Sequence, residues 1–348
     1  MPFSSSFKPF SLLVTGAPGW LANAVLSRLG DALPALTRVR CLVQPSHSDE
    51  SIAAWRRAYP SVREIVRGDL REDESLEVAC ASMSGGVLLH AAAIFHPDMP
   101  ADWTAINRDG TVRLAEIAKR AGIKRFVFIS SIAAQGAGSA DTPLSEEQPC
   151  QPFSAYGKSK FEAEQALLRL HSPGEFEAVI LRPGQFYGTP VPPHQVEFFQ
   201  RVMSGKISLT GGGRYTRCLS HIDDLADGVV TALHHPRAAG TVFNLCDEKI
   251  YTEREIAEAV AEALDEPLEI ASLPPAAAEI AYRADRVLIH FERYWQALHQ
   301  FGESHRHMGA SSAKARKVLG FDSKTDVREG MKRAVEWARG HNLIDVEE

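Results

Sequence analysis

The stretch Ser11-Leu-Leu-Val-Thr-Gly-Ala-Pro-Gly-Trp-Leu-Ala22 runs from a short apolar segment through a turn with glycines at 16 and 19 into the helical pattern of Asn23 to Leu33. A strand, a tight turn and a helix in that order form the unit from which a parallel α/β sheet is wound. Small residues at 16, 19 and 22 let the backbone turn sharply and approach a ligand closely. The free N–H groups and the dipole at the start of the following helix favour an anion, such as a dinucleotide pyrophosphate. A plain turn is the other reading of the same glycines.

The rest of the chain repeats the alternation. Strands are predicted at Val39–Val43, at Glu64–Val66 before Gly68-Asp69-Leu70, and at Gly86–His90 before Ala91-Ala92-Ala93. Two more follow at Arg125–Ile129 before Ser130-Ser131 and at Ala178–Leu181 before Arg182-Pro183-Gly184. Helical patterns separate them, notably Val112–Ala121 and Ala155–Leu170. This predicts an α/β fold, a Rossmann-type doubly wound parallel sheet. Ligands in such sheets lie beyond the carboxyl ends of the strands, and Gly16, Asp69, Ala92, Ser131 and Pro183 all fall at or just past such ends. Residues 10–188 read as the dinucleotide-binding domain, with strand returns from about 215–250, among them Thr241–Leu245. Residues 189–340 read as a smaller, mostly helical C-terminal substrate domain, with one long helix over Ala276–Phe301 after Pro274-Pro275.

The 348 residues carry a formal net charge of −6, with 45% hydrophobic and 24% charged residues. That balance is globular and argues against a nucleic-acid partner, which calls for a basic domain. The five cysteines are odd in number and show no CxxC or zinc spacing, so reduced thiols in a cytoplasmic protein are expected. The first ten residues lack a long apolar core and do not read as a signal peptide, and no transmembrane span is expected. No metal is assigned, because the histidines have no ligand spacing.

Tyr156 and Lys160 stand four apart in Ala-Tyr-Gly-Lys-Ser-Lys and therefore share one face of the predicted helix. An ammonium beside a phenol favours the phenolate, so Lys160 is expected to lower the pKa of Tyr156 and suit it to acid–base work on a carbinol or carbonyl oxygen.

Together these pieces resemble the extended short-chain dehydrogenases/reductases, the NAD-dependent epimerase/dehydratase family, from roughly Leu12 to Trp337. The resemblance rests on Thr15–Ala22, Gly68-Asp-Leu70, His90–Ala93, Asn107-Arg-Asp-Gly-Thr111, Ile129-Ser-Ser131, Tyr156–Lys160, Leu181-Arg-Pro183 and His221-Ile-Asp-Asp-Leu-Ala226, in the family's order. It implies that Gly16, Gly19, Trp20 and Leu21 line the pyrophosphate. Asp69 would face the adenine amino group with Leu70 beside it, and Ala92 would pack near the ribose. Lys160 would bind the nicotinamide ribose, Pro183 would lie by the carboxamide, and Ser131 would bond the substrate oxygen that Tyr156 protonates or deprotonates. Asn107 reads as structural or water-holding. Helix capping is the other reading of Asp69 and of Asp223-Asp224, and core packing that of His90. A homodimer through about Thr104–Arg120 and Ala155–Leu170 is a further expectation by resemblance.

Several positions depart from the pattern. Gln44 ends the second strand where NAD enzymes often have an acidic residue, so NAD is favoured and NADP stays open. The segment after Ser131 lacks the Thr-Asp-Glu of the family's 4,6-dehydratases, which argues against dehydration. Arg217, four residues before His221, matches an arginine that grips the diphosphate of sugar nucleotides. Gln185 falls where those members often have Asn. Their C-terminal Arg-x-Gly-Asp-type segment is missing. In its place the stretch with Tyr282, Phe291, Tyr294, Trp295 and Leu298 is similar to the 3β-hydroxysteroid dehydrogenase branch, and a core-packing helix face is the other reading of those aromatics. The expected activity is thus NAD(P)-dependent hydride transfer at a secondary alcohol or ketone of a small molecule. A sugar-nucleotide epimerisation is slightly preferred, a hydrophobic alcohol or ketone is the alternative, and a non-catalytic NAD(P) sensor is a third reading.

Overall fold

A computed structural model describes residues 10–344. The N-terminal segment read as lacking a signal peptide lies, up to residue 9, outside them. The strands of the main sheet are β1 (Phe10–Thr15), β2 (Leu36–Val43), β3 (Val62–Arg67), β4 (Val87–His90), β5 (Arg125–Ile129) and β6 (Glu177–Pro183). After β7 (Gln185–Tyr187), β8 (Lys206–Thr210), β9 (Thr216–Arg217) and β10 (Leu219–His221), the chain returns to the sheet as β11 (Thr241–Leu245). The order is β11-β6-β5-β4-β1-β2-β3, parallel throughout. It reverses between β1 and β4, the switch point at which such sheets open a crevice. Outside it, β12 (Tyr251–Thr252) pairs with β9, β13 (Glu269–Leu273) with β8, and β10 with β7.

The helices are α1 (Trp20–Leu26), α2 (Leu29–Ala32), α3 (Asp49–Ala58), α4 (Asp73–Cys80), α5 (Thr111–Arg120) and α6 (Ala155–Leu170). They continue with α7 (Pro193–Met203), α8 (Ile222–His234), α9 (Glu253–Leu264), α10 (Pro275–His290), α11 (Gln296–Glu303), α12 (Ala313–Leu319) and α13 (Val327–Gly340). Alternation along the strands feeds two cores, one on each face of the sheet. Leu12, Val14, Leu89, Val127 and Leu181 pack with α1 and α8, while Leu13, Leu88, Phe126, Phe128 and Ile180 pack with α4, α5 and α6. A third core joins α7, α9 and α13. The helices expected to form a dimer face, α5 with its preceding π-helical turn Trp103–Gly110 and α6, lie side by side, tied by Arg108 to Glu162 at 3.1 Å. No helix among the described residues is long and apolar enough to cross a membrane.

Two predicted helices are corrected. The Asn23–Leu33 pattern forms two short helices, α1 starting earlier and α2 ending at Ala32. The long helix over Ala276–Phe301 breaks after His290 into α10 and α11, with Glu292 in the left-handed region at φ +54°. The break folds the chain back so that α11 packs on α10. A Cβ at Gly302 would stand 2.8 Å from the Tyr282 backbone, so only glycine admits this approach. The aromatics split accordingly. Tyr282 is buried and Tyr294 bonds His96, but Phe291 and Trp295 are exposed rather than packed on a core.

Helix α6 is fixed by a charge pair inside the protein. Glu164 is fully buried and accepts from Arg182 Nε at 2.8 Å and from Arg182 Nη2 at 2.5 Å, and the Ser130 hydroxyl donates to it as well. This joins α6 to the ends of β5 and β6. Arg182→Met leaves the Glu164 charge buried and unpaired and is expected to cost about 3–5 kcal/mol. Urea unfolding should show most of that loss recovered in Glu164→Leu/Arg182→Met. A double variant no more stable than the single one would contradict the pairing.

Candidate active site

The switch point brings the turn after β1 against the end of β4. Gly16 adopts φ +84°, and a Cβ there would stand 2.6 Å from Ala91 C and Ala92 N. Gly19 N donates to Gly16 O at 2.8 Å, and a Cβ on Gly19 would meet that same oxygen. Thr15 Oγ1 accepts from Ala92 N at 3.3 Å and bonds His90 Nδ1 at 2.6 Å. Glycine at both ends of the turn thus lets it close tightly in front of the first turn of α1, whose N–H groups lack partners within the helix. Trp20 Nε1 is buried and donates to no group among the described residues. A narrow, donor-rich cradle at the crevice fits a dinucleotide pyrophosphate.

Other expected cofactor residues line the same edge. Gln44 follows β2 and is exposed, Leu70 is buried, and Pro183 ends β6. Asp69 does not cap a helix, because α4 starts at Asp73 with Glu72 before it. Its carboxylate instead accepts from the Arg71 side chain at 2.7 and 2.9 Å and from Arg71 N, which holds it below the usual carboxylate range. His90 is fully buried between Thr15 and Thr111, stacked on Phe128, and burial pushes its pKa down to about 3. It is a neutral core residue. Asn107 donates to Ile94 O and accepts from Ile94 N, both at 2.8 Å, and pins the loop after β4. His221, rather than Asp223 or Asp224, caps α8, while Asp224 holds the backbone of Lys324 and Thr325.

Ser131, Tyr156 and Lys160 meet beyond the end of β5. Ser154 caps α6 through Gly157 N, and a Cβ at Gly157 would stand 2.2 Å from Ala133 O, so this turn of the helix lies directly on the β5 loop. Ser131 Oγ accepts from Ala133 N at 3.1 Å, and its hydroxyl is near enough to Tyr156 to lower the pKa of that phenol. Lys160 is buried, donates to Ile129 O at 2.8 Å, and lies over the Phe128 ring at 4.7 Å and 6.0 Å from the Tyr156 ring centroid. The expected acidification of Tyr156 is not found. Burial pushes the phenol up to about 12, and only the Ser131 hydrogen bond pulls it down. Burial also pushes Lys160 down to about 7 against the pull of Glu164, so the ammonium meant to favour the phenolate is itself partly neutralised. Tyr156 therefore stands as a protonated phenol, with Phe95 edge-on at 4.9 Å.

The expected substrate residues are more scattered. Gln185 is exposed on β7. Arg217 on β9 is taken up by Glu253, with Nη2 to Oε1 at 2.6 Å. The sequence pattern did not signal Glu253, or Phe95 against Tyr156. Both act through contacts between segments far apart in the chain.

The comparisons agree with this geometry. Residues 12–246 match the NAD dependent epimerase/dehydratase family. The chain is 38% identical over 341 residues to the uncharacterized protein y4nL of Sinorhizobium fredii, covering 94% of each. It is 35% identical over 209 residues to a UDP-glucose 4-epimerase of Vibrio cholerae, covering 58% of this chain and 63% of that one. The solved UDP-glucose 4-epimerase of Thermus thermophilus in complex with NAD shares the fold, with a TM-score of 0.72, 23% identity, and coverage of 95% of this chain and 99% of that one. Gly16→Ala forces a side chain into the crevice and into a backbone region costing about 1–2 kcal/mol for an L-residue. It is expected to weaken NAD binding by more than about tenfold in calorimetry. Gly30→Ala, with nothing within 4 Å of the added Cβ, should not; equal affinities in the two variants would contradict the assignment. With this sheet, this crevice and this match, the chain belongs to the NAD dependent epimerase/dehydratase family of extended short-chain dehydrogenases/reductases.

Proposed function

We propose that this enzyme moves a hydride between NAD and the carbon of a secondary alcohol or ketone, with Ser131, Tyr156 and Lys160 as the catalytic residues. The observation that carries the reading is the meeting of these three side chains at the end of β5, beside the crevice between β1 and β4. Bound NAD supplies the hydride acceptor or donor. Ser131 steadies the substrate oxygen, and Tyr156, a neutral phenol, gives its proton to a ketone oxygen or recovers it from an alcohol. Lys160 lies one helical turn beyond Tyr156, where a nicotinamide ribose can replace Ile129 O as its partner. Phe95 and Phe128 keep this end of the site apolar, which strengthens each polar contact within it.

Two outcomes share this chemistry. Returning the hydride to the opposite face of a retained ketone inverts a carbinol, and the sugar-nucleotide epimerases among the relatives support that outcome. Release of the ketone gives a dehydrogenase or reductase of an uncharged alcohol or ketone. The engagement of Arg217 by Glu253 supports this second outcome, which we favour.

Tyr156→Phe removes the proton donor and little else. It is expected to lower turnover about 10²- to 10⁴-fold, the usual worth of a positioned acid or base, while NAD affinity is retained. Unchanged turnover would remove Tyr156 from the mechanism.

A further inference from the structure

The distal end of the site is built from β9, β12, the start of α9 and the segment after α11. Arg217 lies on β9 opposite Tyr251, and Glu253 is the first residue of α9, after the Thr252 cap. The two side chains are only 15% and 19% exposed. Arg217 Nη2 donates to Glu253 Oε1 at 2.6 Å and to Ser304 O at 3.0 Å. Arg217 Nη1 donates to Thr216 O at 2.9 Å and to Arg306 O at 2.5 Å. Both terminal nitrogens of the guanidinium are thus spent on the protein. An arginine grips a diphosphate through that same fork, so a diphosphate would have to displace a carboxylate and three carbonyls.

Glu253 Oε2 is buried and finds no partner among the described residues, and a carboxylate so placed repels phosphate. The neighbouring cation, Arg306, is held only in part, and its buried Nε finds no partner among the described residues. Arg306 Nη2 donates to Glu279 at 3.1 Å and its guanidinium lies over Tyr282 and Phe153, with 4.8 and 5.7 Å to the ring centroids. Phe153 is three residues before Tyr156, and Tyr282 donates to its carbonyl at 2.8 Å. These contacts link the segment just before the catalytic helix to Arg306, whose carbonyl accepts from Arg217.

We propose that Glu253 is a specificity-determining residue: by holding Arg217 it closes this site to nucleoside diphosphates. The site then takes uncharged secondary alcohols or ketones, which make no call on the Arg217 fork. The proposal rests on the hydride-transfer reading of Ser131, Tyr156 and Lys160.

Calorimetric titration of UDP into the NAD-loaded protein tests it. The wild type is expected to bind UDP no tighter than about 1 mM. Glu253→Gln frees the Arg217 charge and should bind UDP at least about tenfold tighter, a gain that Glu253→Gln/Arg217→Met should lose. Micromolar binding by the wild type would overturn the proposal even if the variants fail to fold. So would a folded Glu253→Gln that binds UDP no better, or a gain that survives the loss of Arg217. Failure of the underlying reading is seen separately, as unchanged turnover in Tyr156→Phe, which no UDP titration affects.

Discussion

The structure depends on one close approach of backbone to backbone. Where the sheet order reverses, the turn after β1 meets the end of β4, and no side chain fits between Gly16 and Ala91-Ala92. The approach leaves the first turn of α1 facing open space at the carboxyl edge of the sheet. The strands to either side then deliver their terminal residues to one crevice: Gln44 and Asp69 from β2 and β3, and Ser131 and Pro183 from β5 and β6. A bulkier residue at 16 would separate the two halves of the sheet at the place where they must act together.

The catalytic helix is set by a second constraint, electrostatic rather than steric. Glu164 and Arg182 are withdrawn from water, and each is tolerable there only because the other is present. Their pairing fixes α6 against β5 and β6, two turns of helix beyond Tyr156 and one beyond Lys160. Burial also governs the protonation of the site. It keeps Tyr156 a phenol and weakens the hold of Lys160 on its proton, so desolvation outweighs the attraction that the four-residue spacing suggests.

Much of the fold was legible in the sequence, because parallel strands buried on both faces are apolar runs with small or polar residues at their ends. Arg125–Ile129 and Thr241–Leu245 are found within their predicted bounds, and Ser131, Tyr156 and Lys160 lie near one another beyond the end of β5. What stayed hidden depends on tertiary contacts. The break between α10 and α11 contains no glycine or proline to announce it, and it goes with the packing of Gly302 against Tyr282. Arg217 as a captive of Glu253 follows from which charges folding brings together, and the spacing of motifs carries no record of that, whereas Asp69 pairs locally with Arg71, two residues on.

The account stands on one crevice serving both cofactor and chemistry, and a crystal structure of the protein with NAD tests that most directly. The pyrophosphate should lie between Gly16 and Ala92 at the start of α1, with the nicotinamide ribose on Lys160 and the nicotinamide ring beside Tyr156. A dinucleotide bound elsewhere, or one whose nicotinamide points away from Ser131 and Tyr156, would contradict it.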